Sequence, residues 1–250
     1  MSIRSDMSLY VAKLERRGPL SVAGRKAIMA LPTRTREYGI YQDIVREGDR
    51  PEHCCFVADG LVSRYKTLRS GARQIVSFHI AGDMVDLSSA LVVVADHGIR
   101  THAPTTVVAI SHRDILQTSA DYPEIGRALW FDTLIDAAIF REWTVNVGRR
   151  NSRERTAHLL LEFAYKFRAA DQLVNDGFEL PISQSDLSDA LGITPVHLNR
   201  TLQWLRGERL IRTHMRTVTI ENWPEMIRLA GFSSAYLHPE GPRELKLPKS

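Results

Sequence analysis

The sequence predicts an α+β chain: an N-terminal antiparallel β unit, one long helix, and a C-terminal winged helix-turn-helix. Three observations predict it. Glycines at positions 39, 48, 60, 71, 82 and 98 punctuate short β-rich runs, the texture of a sandwich or barrel. An unbroken helical pattern fills 121–147, with apolar residues over most of its circumference. A capped helix, a glycine turn and a second capped helix then follow between Ser183 and Gly207.

Taken in order, residues 1–32 are helical and closed by Pro32. Between 33 and 118, strand-forming runs fall at Cys55–Val57, Leu61–Val62, Ile75–Phe78, Leu91–Val94 and Thr105–Ile110, with Ser70-Gly71 as a hairpin tip. Pro123 opens the long helix, at a position where a missing N–H costs nothing. A helix facing one core needs one apolar stripe; this one must bury two sides. One side is expected on its own β unit and the other on a second copy about a two-fold axis, with Ile125, Leu129, Ile135, Ala138 and Ile139 as the dimer contacts. Gly148–Arg150 reads as a hinge. Asn151 and Glu154 have capping-box spacing, and Ala157, Leu160, Leu161, Ala164 and Phe167 continue an amphipathic helix to about Ala170. Asn175-Asp176-Gly177 is a turn. The expected divisions are 1–120, 121–148, 149–238, and a mobile Pro-rich, charged tail at 239–250.

Composition limits the function classes. Two hundred and fifty residues, 44% hydrophobic and 25% charged, are ordinary globular material for about two domains. The longest apolar run, Ala90–Ala95, is far short of the ~18 residues a membrane span needs. The N-terminus is too charged for a signal peptide, so a cytoplasmic protein without a membrane partner is expected. Only Cys54 and Cys55 are present, adjacent to each other. That excludes a disulfide framework and a four-thiolate cluster within one chain. On a strand the two thiols point to opposite faces, so core packing is the simpler role for them. His79, His97, His102 and His112 lack the His-x-His spacing of cupin metal sites. No catalytic triad, P-loop or dinucleotide glycine motif appears. No enzyme activity, metal or cofactor is expected. The formal charge is +4, and most of the 33 basic residues are arginine, the better fork for phosphates and guanine edges.

The helix-turn-helix segment carries specific chemistry. Ser183 caps the first helix, with Gln184 in its first turn; Gly192 supplies a positive φ, and Thr194-Pro195 provides the second cap and first turn. At 100° per residue Leu198, Leu202 and Leu205 share one side of the second helix, and Val196, Asn199, Arg200 and Gln203 the opposite side. That outer set has the side chains that read adenine and guanine in a major groove, with His197 on the flank. No Asp or Glu occurs from Ile193 to Gly207, as suits a surface that meets phosphates. Beyond it, Leu210–Thr213 and Thr217–Ile220 form a two-stranded wing carrying Arg212 and Arg216.

These features together resemble the Crp/Fnr transcription regulators over nearly the full length. The resemblance rests on the order of β unit, long helix and winged helix-turn-helix, on GRRNSRERTAHLLLEF at 148–163, on ITPVHLNRTLQWLRGERLI at 193–211, and on RLAGFSSAYLH at 228–238. The segment ending Ile80-Ala-Gly-Asp-Met84 is similar to the jelly-roll cyclic-nucleotide-binding fold. The resemblance implies a jelly-roll sensor, a dimerisation helix and binding of palindromic double-stranded DNA as a homodimer, with RNA polymerase as a partner if the output is activation. DNA contacts are expected from Ser183, Gln184, Thr194, Val196, His197, Asn199, Arg200, Gln203 and Arg216.

The departures from the family pattern bear on the signal. Leu87 stands where cyclic-nucleotide binders carry the acidic ribose partner, and Arg100-Thr101 is only an offset echo of their phosphate-binding motif. Asp83, Leu87, Arg100 and Thr101 mark the expected effector pocket. Without a ribose acid and a phosphate arginine a buried phosphate lacks compensation, so a response to cyclic AMP is not expected. The small-molecule effector is unknown. Many members have Glu where Val196 stands, whereas Arg200 matches the family's helix arginine. A regulator without effector, controlled by abundance, and a ligand-binding module using its helix-turn-helix as a protein interface are the alternatives.

Overall fold

The computed structural model describes residues 3–173, 177–239 and 241. Helices α1 (Ile3–Arg17) and α2 (Val22–Met29) come first, and Ser21 caps α2 by accepting from the Gly24 N–H. The strands follow as β1 (Thr33–Tyr38), β2 (Asp43–Val45), β3 (His53–Asp59), β4 (Leu61–Thr67), β5 (Arg73–Ile80), β6 (Gly98–Thr101) and β7 (Thr105–Ser111). They form two antiparallel sheets, β1-β7-β3 and β2-β6-β4-β5. Val45, Val57, Val62, Val85 and Ile99 pack between the sheets. Gly71, at φ 86°, turns the β4–β5 hairpin, as expected of Ser70-Gly71.

Two parts of this unit differ from expectation. Leu91–Val94 is not a strand: it lies in the loop after a 3-10 turn at Leu87–Ala90, all four side chains exposed, and no strand among the described residues pairs with it. His112–Asp121 forms a helix, α3, capped by Ser111, where continued β structure was expected. Cys54 and Cys55 do point to opposite faces of β3. Cys54 packs with α1 and α2, and Cys55 lies between the sheets. Burial pushes the Cys54 thiol up to about 12 and raises Cys55 as well, so neither is a thiolate near neutral pH.

The long helix α4 runs from Pro123 to Arg149, and α5 from Ser152 to Ala169. The Asn151–Glu154 capping box opens α5 as the spacing predicted. The expected dimer contacts are corrected here. Ile125, Leu129, Ile135, Ala138 and Ile139 are all buried within their own chain, against the jelly roll, α1 and α5. The side of α4 left open carries Trp130, 67% exposed, with Leu134, Phe140 and Val145. Trp130, Leu134, Ala137, Arg141 and Thr144 recur at alternating four- and three-residue steps, a seam for a second helix.

The C-terminal unit comprises β8 (Gly177–Glu179), α6 (Gln184–Leu191), α7 (Pro195–Gly207), β9 (Ile211–His214), β10 (Thr217–Ile220), α8 (Trp223–Ala230) and a 3-10 turn at Ser234–Leu237. The wing has three strands in the order β8-β10-β9, not the two expected, because Gly177–Glu179 pairs with Thr217–Thr219. Of the expected turn at 175–177, only Gly177 lies among the described residues; of the tail, only Pro239 and Gly241 do. One apolar cluster joins this unit to the rest. It runs from Leu61, Phe78 and Ile80 through Ile139, Trp143 and Phe163 to Leu187, Leu198 and Leu205.

Candidate nucleic-acid interface

Local signals place the two helices. Ser183 Oγ accepts from the Asp186 N–H, and α6 ends on Gly192 at φ 62°, a left-handed turn that a side chain would strain. Thr194 then caps α7 by accepting from the His197 N–H, with Pro195 in the first turn. Leu198 and Leu205 are fully buried against the cluster that includes Leu187 and Leu191. The opposite side is therefore forced outward. Val196, Arg200 and Gln203 are exposed on it, and Asn199 is half-buried at its edge. Neither Arg200 nor Arg216 meets an acidic partner among the described residues, so both guanidinium groups are free to meet one. Gln184 and Thr194 are exposed at the starts of their helices.

Two of the expected contact residues also do structural work. Ser183 Oγ donates to the Asp186 carboxylate at 2.6 Å while accepting the cap bond, so its hydroxyl hydrogen is already committed. His197 Nε2 lies 2.9 Å from Ser152 Oγ and ties the first turn of α7 to the start of α5. A second tie, invisible in the sequence, is Arg153 over the Trp204 ring at 4.0 Å. Arg206 Nη1 donates to Thr213 Oγ1 at 3.3 Å and links α7 to the wing. In the arginine cluster at 149–155, Arg149 and Arg153 are exposed, whereas Arg150 and Arg155 are half-buried and tied to the chain itself. Arg155 donates to the carbonyls of Val147, Arg150 and Leu191, and Arg150 pairs with Glu142 at 2.6 Å.

The β4–β5 hairpin holds α6. Arg73 pairs with Asp186 and with Asp189, the latter at 2.8 Å, and Gln74 Nε2 donates to the Ala190 carbonyl at 3.2 Å. Buried His102 places Nδ1 3.5 Å from Asp186. Burial opposes the charged form of Asp186, yet His102, Ser183 and Arg73 hold its carboxyl well below the usual range.

The expected effector residues are not brought together. Leu87 lines a groove of about 440 Å³ between the jelly roll and α4. Asp83 faces α1 and pairs with Lys13 at 2.8 Å. Arg100 donates through Nε and Nη2 to the two carboxylate oxygens of Asp43, at 2.8 and 3.1 Å, and Thr101 is buried, donating to the Gly39 carbonyl. In the groove stands a residue the sequence did not single out. Arg64, almost fully buried, donates to the Val85 carbonyl at 2.7 Å and to Asp136 of α4 at 2.8 Å. Only the fold reveals this pair, because its members are 72 residues apart.

Comparison with known proteins agrees with this architecture. A cyclic nucleotide-binding domain model matches residues 35–122, and a Crp-like helix-turn-helix domain model matches residues 154–229. The nitrogen fixation regulation protein FixK of Rhizobium meliloti is 29% identical over 218 residues, covering 86% of this chain and 92% of that one. The transcriptional activator protein FnrL of Cereibacter sphaeroides is 24% identical over 203 residues, covering 80% of this chain and 81% of that one. The structure of FixK2 from Bradyrhizobium japonicum shares the fold at a TM-score of 0.75, with 24% identity, over 81% of this chain and 100% of that chain. With a cyclic-nucleotide-binding-like jelly roll, a long connecting helix and a Crp-like helix-turn-helix in one chain, the protein belongs to the Crp/Fnr family of transcription regulators.

Proposed function

We propose that the protein binds palindromic promoter DNA as a homodimer, reading bases with α7 and holding the backbone with the wing. The observation that carries this is the outer side of α7. Val196, Arg200 and Gln203 stand exposed on a helix whose other side is locked into the core, with no acidic residue from Ile193 to Gly207. Arg200 supplies a fork for a guanine edge, Gln203 an amide for adenine, and Val196 an apolar contact for a thymine methyl. Arg216 on the wing is assigned to phosphate, with Gln184, Thr194 and Asn199 flanking. Ser183 and His197 also position the helices. The open seam of α4, running from Trp130 and Leu134 to Thr144, is assigned to the two-fold partner. Functionally, the chain divides at 1–120, 121–148 and 149–238.

The chain works in the cytoplasm; no described helix is long and apolar enough to cross a membrane. RNA polymerase is its partner where it activates. The matched relatives are regulators rather than enzymes. A second reading, a regulator independent of any nucleotide effector, is favoured by Arg64. That side chain occupies the groove and joins the jelly roll to α4 through Asp136, the connection a bound ligand would otherwise make. Selection of bound sequences from random DNA by the purified protein tests the proposal. Enrichment of a palindrome with half-site centres ~34 Å apart is expected. Recovery of unrelated sequences would overturn sequence reading, and recovery of single half-sites would overturn the dimer.

A further inference from the structure

We propose that a second cavity, walled by both halves of the chain, binds a small organic monocarboxylate whose apolar body is about the size of a six-carbon ring. The cavity, of about 180 Å³, is bounded by α1, the turn after β5, α4, α5 and the C-terminal 3-10 turn. It is separate from the groove that holds Arg64, and the two have no lining residue in common.

Its chemistry is two-sided. The floor is hydrocarbon: Ile80, Ile135 and Ile139 are buried there, with Leu237 beside them. The rim is cationic. Lys13, Arg17 and Lys166 each have a counter-group. Lys13 lies 2.8 Å from Asp83 and 3.3 Å from Asp132, and Arg17 lies 2.9 Å from Asp132. Lys166 donates to the Phe78 carbonyl at 2.8 Å and stands 3.7 Å from Glu162. Arg16 is the exception. It lines the same cavity and has no carboxylate within ion-pair distance among the described residues. Partial burial and the neighbouring Arg17 pull its pKa down, against a smaller opposing pull from the Asp83 carboxylate, which Lys13 already engages.

One guanidinium without an ion-pair partner among the described residues, at the mouth of an apolar cavity, selects the ligand class. A carboxylate satisfies Arg16 by a charge-assisted bond, and a hydrocarbon body covers the isoleucine floor. Inorganic phosphate would leave the floor wet, and a neutral alcohol would leave Arg16 unpaired. Size narrows the class further: aliphatic-lined cavities of ~150 Å³ hold one benzene ring, so there is room here for one ring. Because α1, the jelly roll, α5 and the C-terminal turn all touch the cavity, an occupant would bridge sensor and DNA-binding halves.

Calorimetry and thermal unfolding of the full chain test this without DNA, so the result stands apart from the DNA-binding assignment. The probes are benzoate, cyclohexanecarboxylate, benzyl alcohol and inorganic phosphate. At least one carboxylate should bind once per chain at low-millimolar concentration or below and raise the Tm, with benzyl alcohol and phosphate at least about tenfold weaker. Arg16→Gln, a change at an exposed side chain, should weaken the carboxylate by about tenfold or more while the variant stays folded. Lys66→Gln, in the Arg64 groove, should leave carboxylate binding unchanged. The proposal is overturned if neither carboxylate binds, if benzyl alcohol or phosphate binds as well as the carboxylates, if Arg16→Gln binds like the parent, or if Lys66→Gln abolishes binding.

Discussion

Replacing Trp130 by alanine should split the dimer while leaving each chain folded. Trp130 is 67% exposed at the N-terminal end of the open seam of α4, and Leu134 follows one turn later. A tryptophan presents ~150–250 Å² of surface, so two-thirds of it covered by a partner, less what alanine retains, is about 2 kcal/mol per protomer and about 4 per dimer at ~25 cal/mol/Å². That is roughly a thousandfold in the dissociation constant. Sedimentation equilibrium over a concentration series measures it directly. Ile135→Ala, next to Leu134 but on the buried side of the same helix, is the matched control. Its side chain is 2% exposed within its own chain, so it should cost ~2–4 kcal/mol of fold stability in urea and act on dimerisation only through unfolding. A Trp130→Ala dimer as tight as the parent, or an Ile135→Ala chain that is fully stable yet monomeric, would refute the assignment of the two faces.

The other predictions follow from the same geometry. Arg200→Ala should relax preference at one symmetric pair of positions, losing ~1–3 kcal/mol of discrimination, whereas Arg216→Ala should weaken all sequences alike and lower the salt slope by about one per half-site. Titrations of matched and mismatched sites at several salt concentrations separate the two outcomes, and equal losses on specific and random DNA for Arg200→Ala would remove it from base reading. Cyclic AMP should neither bind at micromolar concentration nor tighten DNA binding, because Leu87 is apolar and Arg100 is held by Asp43; calorimetry checks this. Burial raises Asp86 to about 7. A carboxyl raised in the fold contributes stability that is full below the unfolded value of ~3.9 and is lost as pH rises through about 7. Asp86→Asn, which cannot ionise, should therefore gain on the parent across that window by on the order of 3 kcal/mol, measured by urea unfolding at pH 5 and pH 8.

What was legible in the sequence was what acts over a few residues. Ser183, Gly192, Thr194 and Pro195 each impose a backbone conformation locally, so both helices of the motif and the buried side of α7 could be placed by angle alone. The length of α4 was equally plain, but its orientation was not. Leu134 and Ile135 are neighbours of equal hydrophobicity, and periodicity cannot say which of two apolar sides meets the jelly roll and which is left open. Leu91–Val94 misled for a related reason: strand-forming residues make a strand only where a partner edge exists. Gly177–Glu179 is too short to announce itself and becomes a strand only by pairing with Thr217–Thr219, some forty residues on. Arg64 with Asp136 and Arg73 with Asp186 are long-range pairs, and each arginine read alone was one among many.

The grip of the β4–β5 hairpin on α6 has a consequence for how such regulators diversify. Arg73, Gln74 and His102 belong to one half of the chain, while Asp186, Asp189 and Ala190 belong to the other, and Phe78 and Leu187 share a core across the same boundary. The DNA-reading half is therefore not an interchangeable cassette. A chimera grafting a relative's helix-turn-helix onto this jelly roll would leave Arg73 and His102 facing foreign side chains unless the acids of α6 travelled with it. Lineages exchanging DNA specificity by recombination would have to cut elsewhere, or change α7 in place, where only solvent-facing positions need alter and the seam between the halves is left intact.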